Sequence, residues 1–209
     1  MPVRIHVWSD YVCPFCYLEE PALERIRHDF GEAVEVRWHA FELRPEPVPT
    51  LDPQGEYLEE IWRRSVYPMA RERGMKLQLP PVQPRSRLAH EAAQFAAAEG
   101  RFEAMNHALF KAFFREGRDI GDRAVLAEIG QSVGLDPVKL LTALEAGLYR
   151  QDVLADECRG RELGITAVPT LLVQGREESL EQAAEVSGAQ PYDLLRALVE
   201  PMVCAGVGA

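Results

Sequence analysis

The chain has 209 residues, 47% of them hydrophobic, which is enough for one or two compact domains with real cores. Lys and Arg number 23 against 33 Asp and Glu, for a formal net charge of -10. That balance disfavours a nonspecific nucleic-acid or anionic-membrane partner, which needs clustered basic charge.

In the N-terminal MPVRIHVWSD an Arg and a His break up the apolar residues, and no small-residue cleavage site follows. No apolar run approaches the ~18 residues of a membrane span. The expected location is therefore the cytoplasm, where thiols stay reduced. Four cysteines are then not expected to build a structural disulfide framework, and a close pair points to catalysis, redox sensing or metal binding.

Residues 3–9 (VRIHVWS) alternate apolar Val3, Ile5 and Val7 with Arg4 and His6, the period of a half-buried strand. Cys13 and Cys16 follow in SDYVCPFCYLEE. From Pro14 to Phe30, Leu18, Ala22, Ile26 and Phe30 fall close to helical spacing and Gly31 is a stop signal. AVEVRWHAFEL, residues 33–43, predicts a second strand and so a strand–helix–strand unit of a parallel sheet. RPEPVPTLDPQG, with Pro45, Pro47, Pro49 and Pro53, reads as a linker.

Residues 55–73 predict a helix interrupted at Pro68, and LQLPPVQPRS a second connection. Four or five helices are expected between residues 88 and 163, separated at Gly100, EGRDIGD, GLDP and Gly147. Strand character returns in PTLLVQG (169–175) and AEVSG, before a helix from Pro191 to about Val199. The simplest topology is an α/β domain formed by residues 1–50 and 160–209, with an all-helical domain, 51–159, inserted between them.

The cysteine pair admits three readings: a redox couple, half of a metal site, or two buried thiols. Zinc would require two more ligands, and the chain has no second C-x-x-C and no H-x₃₋₅-H; His6, Cys158 and Cys204 are scattered. At the start of a helix, Cys13 meets unpaired backbone N–H groups and the positive end of the helix dipole, which favour the nucleophilic thiolate. Cys16, one turn further in, is more protected. The redox reading makes Cys13 the attacking sulfur and Cys16 the resolving one, with Pro14 pre-setting the helix start and Phe15 offering an apolar contact.

C-P-F-C after a first strand, with V-P-T before a late strand, resembles the thioredoxin superfamily, whose members carry a cis proline, here Pro169, facing the cysteines. The helical insertion and C-P-x-C dipeptide are similar to the DsbA type. SDYVCPFCY, LAHEAAQFA, ALFKAFFREGRDIGD and VSGAQP together resemble its FrnE-like cytoplasmic branch, related to 2-hydroxychromene-2-carboxylate isomerases and kappa-class glutathione transferases. The resemblance implies a thioredoxin-like fold with a large all-helical insertion (DsbA-like). It also implies a protein-disulfide oxidoreductase that requires no cofactor and acts on protein or small-molecule thiols and disulfides. The Val168 backbone would pair with an extended substrate segment beside Pro169.

In the isomerase and transferase members a serine replaces the first cysteine and glutathione supplies the thiol; this chain keeps both cysteines, which favours dithiol chemistry. A glutathione-dependent isomerase or transferase is the second reading, and a zinc- or peptide-binding module the third. Many thioredoxin-like enzymes carry a proton-transferring carboxylate six residues before the first cysteine, where this chain has Val7. Asp10 is the candidate substitute, and a turn or cap is its plainer role. His90 and His107 are expected to pack or lie at the surface rather than catalyse. Phe95, Phe102, Phe110, Phe113 and Phe114 are expected to pack the helical core. Cys158 and Cys204 are expected to be isolated thiols, with a regulatory pair between them as the alternative.

Overall fold

The computed structural model describes residues 2–205. Its centre is a four-stranded mixed sheet in the order β2-β1-β3-β4, with strands from both ends of the chain: β1 (Val3–Ser9), β2 (Val34–Ala40), β3 (Thr170–Gln174) and β4 (Ala184–Ser187). β1 pairs parallel to β2, Val3 opposite Val34 through Ser9 opposite Ala40, and antiparallel to β3. This parallel pair needs a crossover, supplied by helix α1 (Pro14–Phe30).

The period-2 pattern of β1 divides its side chains between two cores. Val3, Ile5 and Val7 pack with Leu23 and Ile26 of α1 and with Leu195 and Val199 of the last helix, α9 (Tyr192–Cys204). Trp8 joins the second core with Leu172 of β3 and the helices of the middle of the chain. Both faces of the sheet are therefore covered, and burying each such Leu, Ile or Val is worth roughly 1.5–3 kcal/mol.

The second strand is shorter than residues 33–43. Past Ala40 the chain leaves the ladder after one more bond, from Phe41 N–H to Ser9 O at 3.0 Å, because the Leu43 N–H donates to the Asp10 carboxylate at 2.7 Å. At Pro68 the helix adjusts rather than breaks. α2 (Glu56–Ile61) passes into a π-helical turn, Trp62–Val66, and then runs on as α3 (Tyr67–Glu72), with Pro68 directly after the widened turn.

Five helices follow: α4 (Arg87–Ala98), α5 (Phe102–Phe114), α6 (Arg123–Ser132), α7 (Pro137–Ala146) and α8 (Arg150–Glu162). Asp122 and Asp136 cap α6 and α7 by accepting from the N–H groups of Ala124 and of Val138 and Lys139. Gly147 ends α7 in the left-handed conformation, φ 59°. α9 runs past Val199 to Cys204 despite Pro201, because Met202 and Val203 still pack on the core beneath β1.

Candidate active site

Between β1 and α1 the chain makes a short turn organised by Asp10, which is wholly buried. One of its carboxylate oxygens accepts from Leu43 N–H at 2.7 Å and the other from Val12 N–H at 3.3 Å. Its backbone carbonyl accepts from Cys13 N–H at 3.0 Å, and its own N–H donates to Cys16 Sγ at 3.5 Å. The carboxylate thus holds the loop after β2 against the loop that carries the cysteines.

Cys13 is the N-cap of α1, with Pro14 and Phe15 opening the helix, and its carbonyl accepts from Cys16 N–H at 3.1 Å. The Val168–Pro169 peptide bond is cis, and Cys13 Sγ lies 3.4 Å from Val168 O. The strand end carrying Pro169 is pinned by Thr170 Oγ1 donating to Ala167 O at 2.8 Å and by Gly188 N–H donating to Pro169 O at 2.8 Å. Cys13, Cys16, Pro14, Phe15, Val168 and Pro169, dispersed over 156 positions of sequence, therefore meet at one end of the sheet.

The two thiols have different surroundings. Cys16 has no exposed surface, and burial, reinforced by the adjacent Cys13 sulfur, pushes its thiol well above the usual range. The Ser9 hydroxyl and the Asp10 N–H pull in the opposite direction but do not offset that burial. Cys16 keeps its proton at neutral pH.

Beside Cys13 opens a cleft of about 250 Å³. Val12, Cys13, Phe15 and Thr166–Val168 line it, and Leu51, Tyr57, Leu58, Ile61, Trp62 and Phe114 add an apolar lining. Arg44 and Arg85 stand at it as cations. Arg85 also donates to the carbonyls of Arg44 and Val48 at 2.9 and 3.0 Å, tying the proline-rich segment in place. That segment, read from sequence as a linker, supplies Arg44, Thr50 and Leu51 to the cleft. The available signal was the apolar series Leu51, Tyr57, Leu58, Ile61 and Trp62 running out of it.

The remaining candidates lie elsewhere. Phe95, Phe110, Phe113 and Phe114 are buried and Phe102 packs against them; only Phe114 also touches the cleft. His90 is buried, its ring 4.8 Å from that of Tyr11 and its Nε2 3.5 Å from an Asp10 carboxylate oxygen. His107 is bonded to buried Glu20 at 3.0 Å, and with Glu24 these make the one group of three metal-ligand side chains among the described residues; the cysteines belong to none. Cys158 and Cys204 are exposed free thiols on α8 and at the end of α9, away from the cleft.

The profile of the DSBA-like thioredoxin domain family matches residues 4–200. YwbO of Bacillus subtilis (strain 168), itself described as an uncharacterized protein, is 40% identical over 178 residues, which cover 83% of this chain and 88% of YwbO. Among solved structures, the cytosolic disulfide reductase DsbM of Pseudomonas aeruginosa is 24% identical with a TM-score of 0.73, over 97% of this chain and 99% of that one. A 2-hydroxychromene-2-carboxylate isomerase gives 18% identity and a TM-score of 0.77, over 99% and 100%. At these identities the two structures share the fold, a thioredoxin-like sheet with the helices between its second and third strands.

Proposed function

Because the chain belongs to the DSBA-like thioredoxin domain family, we propose that it is a thiol–disulfide oxidoreductase of dithiol type, with Cys13 as nucleophile and Cys16 as resolving thiol. The observation that carries this reading is the asymmetry of the pair. Cys13 caps the helix at the edge of an apolar cleft, whereas Cys16 lies fully buried behind it with its proton held by its surroundings.

In the reducing direction the Cys13 thiolate attacks a substrate disulfide and forms a mixed disulfide. The leaving sulfur departs as a thiolate. Cys16 then loses its proton and attacks Cys13 Sγ, which closes the Cys13–Cys16 disulfide and releases the second substrate thiol. Pro14 and Phe15 border the approach, and the Val168 carbonyl and Pro169 place an extended substrate backbone beside the sulfur.

No cofactor enters these steps. Substrates are protein or small-molecule disulfides, and glutathione is the thiol that would serve as co-substrate and regenerate the dithiol. The cytosolic description of DsbM supports a cytoplasmic location for this chain, and among the described residues no helix is long and apolar enough to cross a membrane.

Reduction of insulin disulfides by the wild type, Cys13→Ser and Cys16→Ser tests the assignment. Cys13→Ser is expected to lose activity and Cys16→Ser to accumulate a mixed disulfide. Undiminished activity in Cys13→Ser would refute the role of that sulfur, and full glutathione-dependent turnover by Cys16→Ser would favour the isomerase or transferase reading.

A further inference from the structure

The buried thiol poses a proton problem. In the resting pair Cys16 directs its proton towards the Cys13 sulfur, but in the mixed disulfide that sulfur is bonded and can no longer receive it. Cys16 cannot attack as a thiol, so another group has to take the proton. Asp10 meets the Cys16 sulfur through its backbone N–H at 3.5 Å rather than through its carboxylate, whose oxygens accept from the Val12 and Leu43 N–H groups.

Where the ends of β1 and β2 meet α4 and α5 lies a cavity of about 20 Å³ lined by residues that include Ser9, Trp38, His90, Gln94 and Asn106. That is room for one water, which needs about 10–15 Å³ by this measure. Two buried nitrogens of its lining residues, Trp38 Nε1 and His90 Nε2, make no hydrogen bond among the described residues. Buried donors are ordinarily satisfied by protein or by ordered water. Ser9 belongs to both places: it lines the cavity and its hydroxyl contacts the Cys16 sulfur.

We infer that a water in this cavity joins Ser9 to His90, and that His90 acts as the relay base for Cys16. The inference rests on the dithiol reading above. As the Cys16 sulfur attacks Cys13 Sγ, its proton passes to Ser9 Oγ, the Ser9 proton to the water, and a water proton to His90. The Cys16–Cys13 bond forms, and the bond from Cys13 to the substrate sulfur breaks. The electron pair leaves with the substrate thiolate. Oxidation of a substrate dithiol runs the same steps backwards, with the His90 imidazolium returning the proton.

The groups facing His90 suit a transient cation. Asp10 from the turn lies 3.5 Å from Nε2, and Glu42 beyond β2 interacts favourably with the ring's charge; Arg87 of α4, bonded to Glu42, opposes it, and the Tyr11 ring packs alongside. Burial raises the Glu42 carboxyl to about 7, so its own titration overlaps the neutral range.

The test uses the full chain carrying Cys158→Ser and Cys204→Ser, because those exposed thiols would react with the probe. The dithiol is mixed with excess dithiobis(nitrobenzoate) and release of thionitrobenzoate is followed by stopped flow across pH. The first equivalent reports attack by Cys13 and the second reports resolution by Cys16. His90→Gln and, independently, Ser9→Ala are expected to leave the first phase unchanged. Both should slow the second by about 10²-fold near neutral pH, with recovery as hydroxide takes over at high pH.

A Glu42→Gln control should keep the fast second phase, which separates the role of Glu42 from that of His90. A second phase within about twofold of wild type in both variants, or slowed equally at every pH as a packing defect would slow it, overturns the relay. Should one variant fail to fold, the other decides. Release of only one equivalent of thionitrobenzoate per parent protein at every pH would instead overturn the dithiol reading itself.

Discussion

At Gly160 the absence of one methyl group decides how α8 lies against the sheet. A Cβ there would sit 2.8 Å from Trp8 Cδ1 and Nε1 and 3.2 Å from Phe41 Cδ2. Trp8 cannot give way. It is wholly buried, stacked 4.4 Å from the His39 ring, and its Nε1–H donates to Asp156 O at 3.0 Å. Gly160→Ala is therefore expected to destabilise the fold by about 1–3 kcal/mol through overpacking, although Ala alone would favour a helix by about 1 kcal/mol. Urea unfolding checks this, and a variant as stable as the wild type would mean that α8 can slide. Asp156, one turn earlier, has the same exactness of fit: it accepts from Ala40 N–H at 3.1 Å and Gln94 Nε2 at 3.3 Å and pairs with His39 at 2.8 Å.

The element that holds both cysteines at its start, α1, also carries a charge problem in its second turn. Glu19 is wholly buried; it accepts from Gln190 N–H at 2.6 Å, lies 3.6 Å from Arg73, and burial lifts its carboxyl to about 7. A carboxyl whose folded pKa is raised binds its proton more tightly in the native state. Its contribution is complete below the unfolded value near 4.5 and is lost as pH rises through about 7. Wild-type stability should thus fall between pH 5 and pH 8 by up to about 3 kcal/mol relative to Glu19→Gln, at 1.36 kcal/mol per pKa unit. Denaturant melts at the two pH values measure it; parallel behaviour of the two proteins would refute the assignment.

The elements themselves were largely legible in the sequence because their signals are local. Val3, Ile5 and Val7 announce β1; Pro14 and Gly31 bracket α1; Gly100 and Gly147 mark breaks between helices. What could not be read depends on partners far along the chain. Leu43 leaves the second strand because Asp10 captures its N–H across 33 positions. Pro68 is absorbed by a π turn whose apolar Trp62 and Val66 are buried in the core. Pro201 fails to end α9 because Met202 and Val203 have an apolar surface to meet. The cysteine pair stood out by its spacing, whereas Ser9 and the cleft wall beyond Leu43 are ordinary residues given meaning only by their neighbours.

On the scale of the whole molecule, sheet and helices share a core. Trp8, Cys13, Cys16 and Leu172 from the sheet and its edges are buried in the same cluster as Phe95, Leu109, Phe113, Leu126 and Leu140 of the helices. Such sharing should make unfolding cooperative. Native-state hydrogen exchange is expected to give the same limiting free energy for the central amides of β1 and of α4 and α5. A helical region that opens at a much lower free energy than β1 would show that residues 51–159 behave as a separate unit.

The cleft beside Cys13 and the small cavity lined by Ser9 and His90 have no lining residue in common. Under the proposed dithiol mechanism and relay, substrate choice and proton handling fall to different amino acids. On that reading, changes at Leu51, Tyr57 or Trp62 should redirect the protein to a new disulfide without altering its pH profile. Changes around Ser9 and Trp38 can shift that profile without altering which partner is accepted. A lineage built on this arrangement can diversify its clientele one wall at a time while its redox step stays intact.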